Sequence, residues 1–417
     1  MKWELIAGAL LLSACASHDV QLPAPDPRLN SFFPSNYDQS VATFRQSCAT
    51  LSGQTGPQGR GVCQSFPVPG TTPGELPLTI DSAFFAGGKG NRLLIVQSGI
   101  HGVEAPAGAA AQALLMREFL RPFLDRQIDV LLIHALDPWG FRHSRRTDQA
   151  NVNLNRNFSL TADLYDDRTS TYGNYRSIFE PSGNVPWPWQ GFLGISLDFL
   201  VAIAGDGFET RPIDLAFNQG QYEFPDGLNF GGHGPAIQVD YYLTHIKPII
   251  DQPQYGKVLV LDFHTGLGDN AVLSIIKGKH PAQPLFTQFI ASLNAPDNCT
   301  VTTDQGIAIR GPDCPDNFAT DGDVIDFIPL LAPETPVLAV TAEYGTLGTD
   351  SWHQLDSVSR MILENQAHGG EDRCANPETC AAVRNDFREL FNPSDPAWQS
   401  QVMREAAFVF SRILADF

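Results

Sequence analysis

The most constraining stretch of this chain is Leu93–Ala105, LLIVQSGIHGVEA. An unbroken apolar run closed by Ser98-Gly99 reads as a strand buried on both faces, and such strands belong to parallel sheets covered by helices. The run delivers His101 and Glu104, three residues apart, and then passes into an Ala- and Leu-rich segment that reads as a helix, Ala107–Phe119. Open α/β sheets place their ligands at such strand–turn–helix junctions. His101 and Glu104 are therefore candidate metal ligands. The spacing alone is a weak signal. With ten histidines, one His-x-x-Glu is expected about once by chance. A second copy, His368 and Glu371, trails a helix-like segment at paired glycines that read as a C-cap. The plain alternative for the first copy is a hydrogen-bonded loop pair.

Two further apolar runs end in polar residues. KVLVLDFHTGLG delivers His264, and ETPVLAVTAEYGT delivers Glu343. Another buried strand, Asp129–Leu136, follows the first helix, and a strand–helix–strand unit implies parallel neighbours. The expected fold class is α/β, with a mixed, largely parallel central sheet flanked by helices. Parallel strands share an end, so their C-terminal residues converge. Two histidines and one carboxylate form the ligand set of a catalytic zinc site with one position left open. Glu343 is then the remaining carboxylate, placed to take a proton from water. For His264 alone, a core histidine bonded to the backbone is the alternative.

The loop Phe141–Phe158, FRHSRRTDQANVNLNRNF, is rich in Arg and Asn. Arg142 and Arg145 fit a solvated loop. Two arginines have sharper uses in amide hydrolysis: a cation beside a developing oxyanion, and a guanidinium fork for a substrate carboxylate.

Together these motifs resemble the signature of zinc metallocarboxypeptidases. HGVE is similar to that family's first ligand motif, His264 to its third ligand and Glu343 to its general base. Asn151-x-x-Leu154-Asn155-Arg156-Asn157-Phe158, with Arg146 nine residues before Asn155, is similar to its substrate-binding stretch. The resemblance covers roughly Leu93 to Thr346 and is nearest to an uncharacterised bacterial branch beside deacylases and desuccinylases. It implies one zinc ion on His101, Glu104 and His264, an oxyanion-polarising Arg146, and Asn155 with Arg156 holding a terminal carboxylate. The implied activity is cleavage of a peptide or acyl-amino-acid bond next to a free carboxylate. A deacylase or amidase acting on small acyl amino acids or peptidoglycan peptides is the nearest alternative, and a non-catalytic binding lipoprotein is another. One departure is notable. Asn153 stands where the family commonly has an Asp that supports a ligand histidine. An amide oxygen accepts the same hydrogen bond without charge, and Asp262 is a candidate to compensate.

The remaining chain bounds these readings. A serine hydrolase would need Ser98 in a Gly-x-Ser-x-Gly elbow, and none is present. Thr320–Asp326 has the look of a calcium loop, with an acidic turn as the simpler reading. The net charge of −19 excludes nucleic acid as a partner, since that binding needs basic patches. MKWELIAGALLLSAC has a basic residue and a short apolar run that resembles a bacterial lipobox ending at Cys15, with an ordinary secretory signal as the alternative. The expected organisation is a signal peptide over 1–14, a tether over 15–31 and one catalytic domain over 32–417, with an insertion around 159–256. The chain is then exported, facing the periplasm or cell exterior, and touches the membrane through its lipid alone. Cys48, Cys63, Cys299, Cys314, Cys374 and Cys380 are an even set, expected as neighbouring disulfides because each pair brackets a loop rich in Gly, Pro or Asp.

Overall fold

Eight strands among the described residues build one sheet. They are β1 Gly61–Pro67, β2 Thr79–Phe85, β3 Arg92–Ser98, β4 Ile128–His134, β5 Lys257–Asp269, β6 Leu273–Lys277, β7 Ala308–Arg310 and β8 Val337–Leu347. The computed structural model describes residues 22–54, 61–88, 90–207, 209–295, 307–310, 314, 320–368, 373, 374 and 376–417. The strand order is β1-β2-β4-β3-β5-β8-β6-β7. The four central strands, β4, β3, β5 and β8, run parallel, and antiparallel pairs flank them on both sides. This is the expected mixed, largely parallel sheet.

Alternation along β3 shows why the run reads as apolar throughout. Leu94 and Val96 join a core with helices Tyr37–Gln54, Ala105–Leu114 and Pro396–Asp416. Leu93 and Ile95 join the opposite core, against Ile237–Tyr241 and Val324–Phe327. Both faces are covered, so no position on the strand can be polar without cost. A third core joins the expected insertion to the C-terminal helices, through Tyr172–Phe179 and Pro188–Gly205 on one side and Ser351–His368 and Pro377–Phe391 on the other. The insertion is helical and packed.

Two local readings change. The first crossover helix starts at Ala105 and runs through a π-helical turn, Leu115–Phe119, to Asp125. The loop expected between Cys48 and Cys63 leads into β1, an edge strand whose side chains are mostly exposed. β1 pairs with β2 along its whole length, Ser65 Oγ donates to Asp81 across the pair, and a strand this exposed leaves no apolar alternation to read. The Cys48–Cys63 disulfide ties it to helix Tyr37–Gln54, and Cys374–Cys380 is bridged too, both as expected. Cys314 is disulfide-bonded; its expected partner Cys299 lies outside the described residues, as do Cys15, the signal segment and Glu371.

One buried carboxyl gives the fold a pH dependence. Glu405, on helix Pro396–Asp416, is pushed up to about 8 by burial, against a hydrogen bond from Gln401. The fold therefore keeps its proton where the unfolded chain, with an ordinary carboxyl, releases it. Stability is highest below about pH 4.5 on this account and falls as pH rises toward 8. Glu405→Gln should remove that slope. Its melting temperature relative to the parent should rise at pH 9, by a free energy on the order of a few kcal/mol, and stay unchanged near pH 4.

Candidate metal centre

The sheet order reverses at β3, because β4 lies on one side of it and β5 on the other. A crevice opens at such a switch point, outside the carboxyl ends of the strands. Register puts three ends at one level: Ser98 pairs with Phe263, which pairs with Ala342. Past Ser98, Gly99 turns the chain at φ +72. His101 and the short turn Gly102–Glu104 then stand beside His264 and Thr265 of β5. Gly102 allows this placement. A Cβ there would lie 2.0 Å from the Gly140 carbonyl carbon. Val103 N also donates to the Arg145 carbonyl at 2.8 Å, so the turn carrying Glu104 is bonded to the loop carrying the arginines.

His101, Glu104 and His264 are buried, and one potential ligand atom from each lies within 4.8 Å of the others. Glu104 bridges the histidines, with Oε1 2.9 Å from His101 Nδ1 and Oε2 3.2 Å from His264 Nδ1. Thr265 N donates to the same Oε2 at 3.1 Å. The far nitrogens are held from behind. His101 Nε2 donates to Asn153 Oδ1 at 3.0 Å. Asn153 Nδ2 donates to Asn229 Oδ1 at 2.7 Å, and Asn155 N donates to Asn153 Oδ1. That network fixes the amide orientation and therefore the tautomer: the His101 proton sits on Nε2. Nδ1 carries only a lone pair. It is buried and makes no hydrogen bond, despite its short distance from Glu104. Two electron-rich atoms face each other with no proton between them, which suits a cation.

His264 is arranged in the same way. Asp262 lies two residues earlier on β5, so both side chains leave one face of the strand. His264 Nε2 donates to Asp262 Oδ2 at 2.7 Å. Burial disfavours the imidazolium here, but Asp262 and Glu104 outweigh it and hold His264 well above its ordinary range. At His101 burial wins, with Arg146 adding to it, and the value falls to about 3. Burial raises Glu104, yet the Arg146 charge and the hydrogen bond from His264 reverse this and take it well below the usual range. The centre therefore offers a neutral imidazole and a carboxylate, plus a second imidazole whose proton a metal ion would displace. The residues fit one divalent ion of the His/His/carboxylate type. Supports of this kind typically carry about 10–100-fold in metal affinity. Asp262→Asn should weaken zinc binding by that factor in a competition titration with a chromophoric chelator, with circular dichroism checking that the variant keeps its fold.

Glu343 pairs directly with His264 in the β5/β8 register. Its Oε2 lies 4.0 Å from His264 Nδ1. Arg146 Nη1 donates to Glu104 Oε1 at 2.9 Å, and its guanidinium stands 5.3 Å from the Phe391 ring centroid. Arg145 points away, into a buried pair with Glu364. Asn155 and Arg156 lie on the adjoining wall with their polar atoms engaged by the chain. Arg156 donates to the carbonyls of Asn218 (3.2 and 2.8 Å) and Asn155 (2.7 Å). Burial lowers it to about 10, against the opposing charge of Asp323. Asn155 Nδ2 donates to Asp323 Oδ2 at 3.2 Å, and Asn155 Oδ1 accepts from Val324 N at 3.0 Å. Asp323 belongs to the stretch that reads as a calcium loop. In the fold it caps Val324–Phe327 through Ile325 N, while Asp321 pairs with Lys279. His368 sits against Trp139, outside the cluster. Tyr222 donates to the Arg156 carbonyl, and Tyr344 is fully buried in the core.

The family described as a protein of unknown function, DUF2817, matches residues 33–405. The chain belongs to DUF2817. No curated protein matches this DUF2817 chain. Among solved structures, it is similar to carboxypeptidase A of Helicoverpa armigera, with TM-score 0.43, 14% identity, 92% of this chain and 81% of that one covered. It is similar to bovine thrombin-activatable fibrinolysis inhibitor in complex with tick carboxypeptidase inhibitor, with TM-score 0.42, 11% identity and coverage of 89% and 98%. It is also similar to a succinylglutamate desuccinylase/aspartoacylase of Rhodobacter sphaeroides, with TM-score 0.36, 12% identity and coverage of 78% and 69%. At these identities the chemistry of the DUF2817 centre has to be argued from its own residues.

Proposed function

We propose that this chain is a zinc-dependent hydrolase of amide bonds. The observation that carries the reading is the buried His101–Glu104–His264 cluster, with an unbonded Nδ1 on His101 and a support behind each histidine. A bound zinc ion supplies a Lewis acid for the scissile carbonyl and makes a water acidic enough to react near neutral pH. Glu343, next to His264, takes the proton from the attacking water and returns it to the leaving nitrogen. Arg146, beside Glu104, stabilises the charge that develops on the carbonyl oxygen. With Asn155 and Arg156 anchoring a free carboxylate, the cut is of carboxypeptidase type. Export and lipid attachment at Cys15 belong to the same proposal.

A second reading, a deacylase or amidase on small acyl amino acids or peptidoglycan peptides, draws support from the wall itself. Arg156 is engaged by backbone carbonyls, and the Asp323 carboxylate borders Asn155. One experiment separates the readings. A mixed library of peptides and acyl amino acids, each with its terminal carboxylate free or blocked as an amide, is offered to zinc-loaded protein with and without chelator. Hydrolysis should vanish with chelator. Under the carboxypeptidase reading, blocking should cost about 10–150-fold, the worth of a charge-assisted hydrogen bond. Equal rates on both forms would support the deacylase reading. Chelator-insensitive hydrolysis would overturn both.

A further inference from the structure

Helix Pro188–Gly205 carries an apolar face turned outward. Trp189, Leu193, Leu197 and Val201 recur every fourth residue, which sets them along one stripe of a helix. They are 60%, 51%, 63% and 72% exposed. Trp187 and Leu200 border the stripe, and Trp352 of helix Ser351–His368 stands beside its first turn, 41% exposed, with its ring 4.7 Å from that of Phe192. Only Gly191 and Ile195 of the helix are fully buried, and Asp198 is its one charged residue. Monomeric proteins rarely show more than about 300–600 Å² of contiguous apolar surface. These side chains together expose on the order of 700 Å², taking ordinary side-chain areas.

We infer that this face is the contact between two copies of the chain. Three features favour a second copy over a lipid surface. Its area is close to the roughly 800 Å² per partner that a standard protein interface covers. The helix has no Lys or Arg, whereas helices that lie in a membrane surface carry basic residues on their polar face, and the chain as a whole is strongly acidic at −19. The face is also both ridge and hollow. A cavity of about 310 Å³, lined by Trp189, Phe192, Trp352, Leu363, Val383 and Arg360 among others, opens at one end of the stripe. A two-fold contact needs such self-complementarity, with the ridge of each copy entering the hollow of the other. By length and composition the helix would also suffice to cross a bilayer. Its packing on Ser351–His368 and Pro377–Phe391 lays it along the protein body instead.

The test is sedimentation velocity of the full chain beside a Leu197→Glu/Val201→Glu variant. Both positions are exposed, so the variant should fold, and its circular dichroism and zinc content check this. Both proteins carry the same N-terminal segment, so any difference between them belongs to the helix. A dimer with a micromolar or tighter dissociation constant is expected, weakened at least about 100-fold in the variant. A monomeric parent overturns the inference, and so does a dimer that both proteins share. Phosphatidylcholine vesicles form a second arm. Loss of vesicle binding in the variant, with no dimer in the parent, would assign the face to a bilayer and would equally overturn the inference.

Discussion

Glu343→Gln should leave zinc bound and the fold intact while turnover falls by about 10²–10⁴-fold, the usual worth of a positioned acid–base group. The amide is nearly isosteric with the carboxylate and cannot accept the proton of the attacking water. Glu343 stands next to His264 across the β5/β8 pair without belonging to the ligand set. Metal content and turnover should therefore separate. Zinc per chain, read by emission spectroscopy, should match the parent, and single-turnover rates should not. A variant as active as the parent would remove Glu343 from the chemistry. A variant that has lost its zinc would move it into the ligand set.

Gly102→Ala should do the reverse and damage the site by way of the backbone. The added Cβ would come within 2.0 Å of the Gly140 carbonyl carbon and 2.1 Å of Phe141 N. Both are main-chain atoms and cannot rotate aside. The turn Gly102–Glu104 must lift, and it carries the ligand Glu104 directly after the ligand His101. Overpacking of this kind costs about 1–3 kcal/mol, and the displaced ligands add a loss of zinc. A lower urea midpoint together with loss of stoichiometric zinc is the expected result. Gly234→Ala is the control, because the same Cβ meets open space there. If the Gly102 variant binds zinc like the parent, the close approach to Gly140 does not set the ligand geometry.

What was legible in the sequence follows from burial. β3, β5 and β8 lie in the middle of the sheet with both faces covered, and their apolar runs stop where the crevice begins. Polar residues placed at those stops, His101, Glu104, His264 and Glu343, therefore had little to do but meet. β1, β6 and β7 were not legible. They are short or exposed strands toward the two sides of the sheet, recognised through backbone pairing. The contact of Asp323 with Asn155 was hidden for another reason, although its stretch has the look of a calcium loop. Asp323 lies 168 residues from Asn155, in an acidic turn whose composition is that of ordinary surface. Phe391 gives no sign at all in the sequence. An aromatic at a helix end is commonplace, and only the fold brings its ring beneath Arg146. Asn153 was legible as a departure, and the structure shows how it is absorbed: its amide oxygen accepts the hydrogen bond from His101 Nε2 while its amide nitrogen donates to Asn229.

The pairing of His264 with Glu343 has one more consequence. The spacing of these two residues is that of adjacent strands, about 4.8 Å, and no loop decides it. Under the proposed function His264 and Glu343 ride on paired central strands, whereas Asn155, Arg156, Asp323 and the helical insertion belong to connections between strands. On that reading those connections can change without moving the pair proposed to take part in breaking the bond. If the chain is the proposed hydrolase, exchanging the 159–256 segment should change what is cut before it changes how.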